Sequence, residues 1–343
     1  MNNIKLKILY LSLSVFTACS YNFSVITIET DPDNGQFIIK ESGQPVLQYN
    51  YHTVYEQDVV RSESQKNKKL EYYPIGGVYL DEYYKSNPAV SNDGKATSAI
   101  WAVPRSDYIH PLYGLDGEML TNDWPDADHP HHRGIFWAWP EVEYGSQRGD
   151  IYALQRVFAR PTERVQWITN LKYAEITAGN KWMWEDREAI VDEQVTIRAY
   201  RASEGRRVID LTVRMQALVD SITIATRFTN SYGGLNVRMA TPQNQTISYF
   251  TDTTAVPPTQ CRATFSGIFE GSQSTSGMTI LQHRENPEYP GQWVEYPNLS
   301  WVQPTFPTPN TRYPLSKDKP LILRYRFIVH KGELKMDPNS DNY

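Results

Sequence analysis

The chain has 343 residues, 40% hydrophobic and 21% charged, a composition that excludes disorder, collagen and coiled coil and leaves room for one large domain or two ordinary ones. Lys and Arg number 34 against 39 Asp and Glu, a net charge of -5. There is thus no general basic field for nucleic acid or an anionic membrane, and an acidic substrate must be met by local Arg and His.

Lys5 and Lys7 precede an apolar stretch over 8–18, too short to span a bilayer but long enough for a signal-peptide core. Residues 1–18 are therefore expected to be a signal peptide. Phe16-Thr17-Ala18-Cys19 resembles a bacterial lipobox, in which the Cys is lipidated and becomes the mature N-terminus. The expected location is outside the cytoplasm, in the periplasm or on the outer membrane, with a lipid on Cys19 as the sole membrane contact. With Cys19 so used, Cys261 has no partner for an intramolecular disulfide, and a cysteine-based zinc site is excluded.

Period-2 alternation then recurs over 23–29, 194–200, 208–214, 222–228 and 321–330, predicting half-buried antiparallel strands. Turn signals at Asp33-Asn34-Gly35, Glu41-Ser42-Gly43 and Ser203-Glu204-Gly205 separate such runs, and no amphipathic helix longer than about three turns is read. The expected fold is all-β: an antiparallel β-sandwich, of jelly-roll or mutarotase-like supersandwich type, forming one domain over 22–335. No Pro/Gly/Ser linker divides it, and no regular period points to a propeller or solenoid. Three stretches read as long functional loops, 62–69, 108–139 and 282–314. Aromatic residues, 23 Tyr and 9 Trp, suit both a sandwich core and the face of a sugar.

Four of the seven His fall within 108–139: His110, His129, His131 and His132. Pro111, Pro125 and Pro130 cannot donate to a ladder, so this reads as ordered loop, with a buried strand beginning at Gly134. Two chemistries fit. Imidazoles and carboxylates suit a divalent metal, Zn or Ca, with His129, His131 and Asp128 as ligands and His132 nearby; no other cofactor is indicated. The preferred reading is proton transfer, for which His is the natural side chain near neutral pH, with Arg133 able to hold a carboxylate or sulfate through two parallel hydrogen bonds. At least one of these His is expected merely to hydrogen-bond backbone. Asp116, Glu118, Asp123, Asp126 and Asp128 offer the acid and base pair of a glycosidase, although Asp116-Gly117 reads as a turn. There is no Gly-rich phosphate loop, no Gly-x-Ser-x-Gly elbow and no catalytic setting around Cys261, so nucleotide, phosphoryl and acyl-enzyme chemistry drop away. His283, followed by Trp293 and Trp301, is a candidate for closing the site from its other side; His330 reads as structural.

Residues 108–118, Tyr-Ile-His-Pro-Leu-Tyr-Gly-Leu-Asp-Gly-Glu, and 128–139, Asp-His-Pro-His-His-Arg-Gly-Ile-Phe-Trp-Ala-Trp, together resemble a secreted bacterial family labelled methane oxygenase PmoA-like. His-Arg-Glu-Asn-Pro at 283–287 and Arg-Tyr-Arg-Phe-Ile-Val-His-Lys-Gly at 324–332 are similar to its C-terminal motifs. Members occur with carbohydrate-degrading enzymes, and the sequence also looks like the ulvan-active oligosaccharide dehydratases. The resemblance implies a β-sandwich lyase that removes water from the non-reducing-end glucuronate of an acidic, ulvan-type oligosaccharide, leaving a 4,5-unsaturated uronate. A glycoside hydrolase, and a glycan-binding lipoprotein with Trp124, Trp137, Trp293 and Trp301 as a stacking platform, are the alternatives. In such a dehydration the hydrogen on C5 is barely acidic until the adjacent carboxylate is neutralised. Arg133, Arg105 or a metal is the candidate for that task, His132 or His110 for the base, and Tyr113 or His283 for the acid. Tyr108, Trp124 and Trp293 complete the expected substrate contacts. The scheme requires the imidazole and guanidinium groups of 105–133 to meet in one solvent-reachable hollow.

Overall fold

Alternating apolar and polar residues put every second side chain of a strand on the same face. In the computed structural model this pattern is realised as three sheets in which all the paired strands run antiparallel. Residues 25–31, 33–66, 104–124, 131–252 and 259–334 are described; the expected signal peptide, Cys19, Asp126, Asp128 and His129 lie outside them.

The first sheet has eight strands in the spatial order Ile26–Asp31, Gln36–Glu41, Gln44–Asn50, Tyr108–Leu112, Ile135–Ala138, Gly234–Arg238, Trp301–Pro304 and Trp293–Tyr296. The second, also of eight, runs Gln243–Asp252, Thr259–Ile268, Ser276–Gln282, Leu321–Lys331, Arg206–Ala217, Glu188–Tyr200, Tyr173–Trp184 and Val157–Thr169. A small sheet of four strands carries Glu141–Tyr144 and Ile222–Ala225 at its centre. The fold is thus the expected all-β sandwich. Val195, Ile197 and Ala199 alternate inward and pair with Val213, Leu211 and Ile209, all buried. Each Val, Leu or Ile side chain of this kind taken from water stabilises by about 1.5–3 kcal/mol. One hydrophobic cluster runs from Ile26 to Val329.

Among the described residues the first strand spans Ile26–Asp31, and 23 and 24 lie outside them. One sequence expectation changes. The run over 222–228 is not one strand: it leaves the sheet after Ala225 and turns through a short 3-10 segment, Arg227–Thr229, with Phe228 at a φ of 53°. Thr229, Asn230 and Ser231 supply the turn chemistry that ends the alternation, and the turn throws Arg227 off the sheet.

The sheets are joined by buried polar contacts as well as apolar packing. Asp107 accepts hydrogen bonds from the Tyr49 hydroxyl (2.7 Å) and the Asn180 amide (2.9 Å). Glu193 accepts from the indole N–H groups of Trp137 (3.3 Å) and Trp182 (2.8 Å). These two buried carboxyls also act directly on each other. Burial, and then the charge of Asp107, push Glu193 well above the ordinary glutamate range. The pair therefore shares a proton, carried on Glu193.

Candidate functional site

Residues directly opposite in a ladder point to the same side of a sheet. Ile109 pairs with Tyr49 and Ile135, and Ile135 with Val237. Tyr49 reaches Asn180 of the second sheet, so this set faces the core. The alternate set, Tyr108, His110, Phe136, Asn236, Arg238 and Trp301, stands on the opposite face, and there the loops at 57–66, 113–124, 131–134 and 150–155 gather. Gly134 makes the crossing possible: its φ is 58°, and a Cβ on it would lie 2.3 Å from the Ile109 carbonyl oxygen.

The His-rich region divides on this face into a sealed cluster and an open one. In the sealed part, Arg133, wholly buried, forms an ion pair with Asp123 and donates to the Tyr108 hydroxyl (2.8 Å). Tyr108 donates to the other oxygen of Asp123 (2.8 Å). The guanidinium lies between the Tyr108 ring, 4.8 Å away, and the Trp124 ring, 4.4 Å away, a cation–π arrangement. Burial works to lower Arg133, but Asp123 and Tyr108 overcome it and hold the group above its ordinary value. His110 contacts Thr121 Oγ1 through Nδ1 (2.9 Å) and the Val60 carbonyl through Nε2 (2.8 Å). Since a carbonyl can only accept, Nε2 carries the proton, and burial lowers its basicity further.

The expectation of one common hollow is therefore corrected. With both ring nitrogens engaged, His110 is a structural tie between the strand and the 57–66 loop, not a solvent-facing base. Arg133, Tyr108 and Trp124 form its walls, not a substrate surface. Arg105 is likewise structural: it donates to the carbonyls of Tyr152 (2.9 Å) and Ile151 (2.5 Å) beneath the 150–155 loop. Burial and then Arg133 push it down to about 10.

The open part is a cavity of about 300 Å³ walled by His131, His132, Tyr152, Arg227, Tyr232 and Trp301, with Tyr296 at its rim, 41% exposed. His131 and His132 meet edge to face with centroids 4.7 Å apart, and both lie edge-on to Tyr152. His132 stacks on Trp301 at 15° and 5.9 Å, and Trp301 on Tyr296 at 28° and 5.1 Å. Arg227 bonds Asp150 (2.9 Å) and the Tyr232 hydroxyl (3.2 Å), and Asp150 accepts from the Ala153 N–H (2.7 Å). The ion pair thereby anchors the loop that presents Tyr152. Burial pulls the Asp150 carboxyl upward against the pull of Arg227. Burial tends to lower Arg227, but Asp150 and Tyr232 more than offset it and hold the group above its ordinary range.

Protonation states follow. Arg238 Nη1 lies 3.2 Å from His132 Nδ1. A guanidinium has no acceptor, so Nδ1 must offer its lone pair and the ring proton sits on Nε2. His132, expected from sequence as a base, is thereby a neutral hydrogen-bond donor. Tyr152 is raised well above the ordinary phenol value by burial and then by Tyr232. Tyr232 is raised by burial, with Arg227 opposing. Both hydroxyls keep their protons near neutrality. Of the buried guanidiniums only Arg227 lines the cavity, where it stands paired with Asp150 and offers its remaining donors to an anionic group.

The remaining candidates lie elsewhere. His283 Nδ1 accepts the Glu285 N–H (3.0 Å) in a turn on the second sheet, and burial followed by Arg324 lowers its basicity. Trp293 donates to the Gln260 carbonyl (3.0 Å) and packs on Tyr249. Neither lines the cavity. Trp137 faces the core. Tyr113 opens onto a separate groove, where burial raises its hydroxyl. Asp116-Gly117 forms the expected turn, with Gly117 at a φ of 87°. His330, expected to be structural, bonds the Gly332 carbonyl through Nδ1 (2.9 Å). Of the expected metal ligands, His131 lines the cavity while His129 and Asp128 lie outside the described residues. Among the described residues no three His, Cys, Asp or Glu side chains converge as ligands. Sequence reasoning missed Tyr152, Arg227, Tyr232, Arg238 and Tyr296. The turn chemistry after Arg227 was a usable signal for one of them.

The profile of a family described as one of unknown function, DUF6807, matches residues 94–341. No curated protein matches the chain.

Proposed function

The chain belongs to the DUF6807 family, and we propose that it is an exported, carbohydrate-active lyase that dehydrates the terminal uronate of an acidic oligosaccharide to a 4,5-unsaturated product. The observation that carries this reading is the cavity itself: one guanidinium, two imidazoles, two phenols and an aromatic rim in a space of about 300 Å³, the size of a small ligand site.

The uronate ring stacks on the exposed Tyr296, which Trp301 backs, and its carboxylate turns toward Arg227, which neutralises the charge and lets electron density move into the carboxyl group as the C5–H bond breaks. His131 takes that proton, since His132 already has its proton on Nε2 and the two phenols retain theirs. The released pair forms the C4–C5 double bond, the C4–O bond breaks, and the departing hydroxyl receives a proton from Tyr152 or His132 and leaves as water. Holding base and acid on one loop-and-sheet frame supplies the alignment. Export by the 1–18 segment, with a lipid on Cys19, places the reaction where extracellular glycans arrive.

The test is incubation with a panel of uronate-terminated oligosaccharides, reading mass and ultraviolet absorbance together. The expected product is lighter by one water, newly absorbing and uncleaved. His131→Ala should lower turnover by about 10²–10⁴-fold, the usual contribution of a positioned acid or base. Shorter fragments without new absorbance would indicate a hydrolase instead. The stacked Tyr296 and Trp301 favour a second reading, a glycan-binding module; binding without any product, surviving His131→Ala, would establish it.

A further inference from the structure

A second concavity lies on the same sheet face, between the 57–66 loop, the 113–119 turn and Glu270-Gly271. It measures about 980 Å³, at the upper end of ligand sites. Most of its charged walls are already engaged. Glu63 pairs with Lys66, Asp116 with Lys331, and Glu270 accepts from the Ser64 N–H and hydroxyl. Glu118 is different. It is 5% exposed, and its Oε2 accepts the Asp116 N–H at 3.0 Å. Its Oε1 has no donor among the described residues. A buried acceptor left unmet is costly, yet the chain makes room for this one: a Cβ on residue 114 would lie 2.1 Å from Oε1, and Gly stands there. On the same wall, Arg61 uses Nη1 on the Trp124 carbonyl (3.3 Å), while its buried Nη2 has no acceptor among the described residues.

We infer that this groove is a second carbohydrate-binding site, for an uncharged, hydroxyl-rich sugar unit. A hydroxyl both donates and accepts, so a sugar ring offers a donor to Glu118 Oε1 and an acceptor to Arg61 Nη2. Tyr113 and Met119 offer apolar surface to the ring. The described lining holds four carboxylates, Glu63, Asp116, Glu118 and Glu270, against Arg61 and Lys66. That balance disfavours sulfate or carboxylate. The two sites are close in the bonding pattern: Arg61 bonds Trp124, whose N–H donates to the His132 carbonyl at 3.1 Å. The occupant is either a free sugar or a neutral unit within a longer chain.

Hydrogen exchange and calorimetry with glucose, xylose and rhamnose test this, beside glucosamine, a sulfated glucose and neutral oligosaccharides. Neutral sugars should bind saturably and slow exchange over 113–119, Glu118→Gln should weaken binding at least tenfold, and the sulfated sugar should bind more weakly. Tighter binding of oligosaccharides than of monosaccharides, lost in Glu118→Gln, identifies an internal unit; equal binding identifies a free sugar. Absence of any effect of neutral sugars on 113–119, unchanged affinity in Glu118→Gln, or binding of glucosamine alone would overturn the inference. If Glu118→Gln does not fold, wild-type exchange decides. Because the readout is binding, the outcome is independent of whether the cavity carries out elimination.

Discussion

Arg133 and His132 are neighbours in the chain, yet one is locked in a sealed ionic cluster and the other forms the wall of an open cavity. The sealed group meets its charge internally, through Asp123, Tyr108 and two aromatic faces. The open group has its Nδ1 held by Arg238 and its ring stacked on Trp301, which fixes the orientation of the edge turned toward the cavity. The first arrangement holds the loop in shape; the second presents a proton-bearing edge in a defined direction. A run dense in His and Arg is thus half scaffold and half site.

The sealed cluster depends most on Asp123. Asp123→Ala removes the carboxylate partner of a buried guanidinium and should destabilise by about 3–5 kcal/mol, read from the denaturant midpoint at unchanged slope. A variant as stable as wild type would show that the cluster is not the scaffold described. Next in size is His110→Ala, which leaves Thr121 and the Val60 carbonyl short of a partner and should cost about 1–3 kcal/mol. Elimination activity on the folded fraction should stay within a few-fold of wild type. Activity that collapses while stability holds would move His110 into the chemistry and erase the division between the two clusters.

The strands around 194–200, 208–214 and 321–330 were legible because one face of each is buried, and burial imposes the period. The turn at Asp116-Gly117 was legible because only a few residues adopt its backbone. The crowding of His pointed to the sheet face that carries the open cavity. What could not be read was which of those His looks outward, because that depends on register: Tyr108 and His110 share a face with Phe136 and Arg238 only once Ile109 is paired with Ile135 and Ile135 with Val237. The other cavity walls come from 152, 227, 232, 296 and 301, segments brought together by strand order alone. Arg227 was hidden more specifically, since alternation before it continued smoothly into a residue that a 3-10 turn then diverts.

This protein buries carboxyl groups in two ways. Asp123 is balanced by a guanidinium, whereas Asp107 and Glu193 are balanced by a proton held between them. The folded-state pKa of Glu193 lies well above its unfolded value, owing first to burial and then to Asp107. For a group raised in this way, stability is fully present below the ordinary glutamate pKa of about 4.3. It declines as pH rises from there toward the folded-state pKa, because the unfolded chain sheds a proton that the native state retains. Wild-type stability should therefore fall on the alkaline side. Glu193→Gln keeps an uncharged partner for Asp107, changes stability least of the three variants near neutrality, and should flatten that slope. Thermal midpoints of both proteins measured across the pH range decide it. Parallel profiles would mean that the proton is not where the burial of these two carboxyls places it.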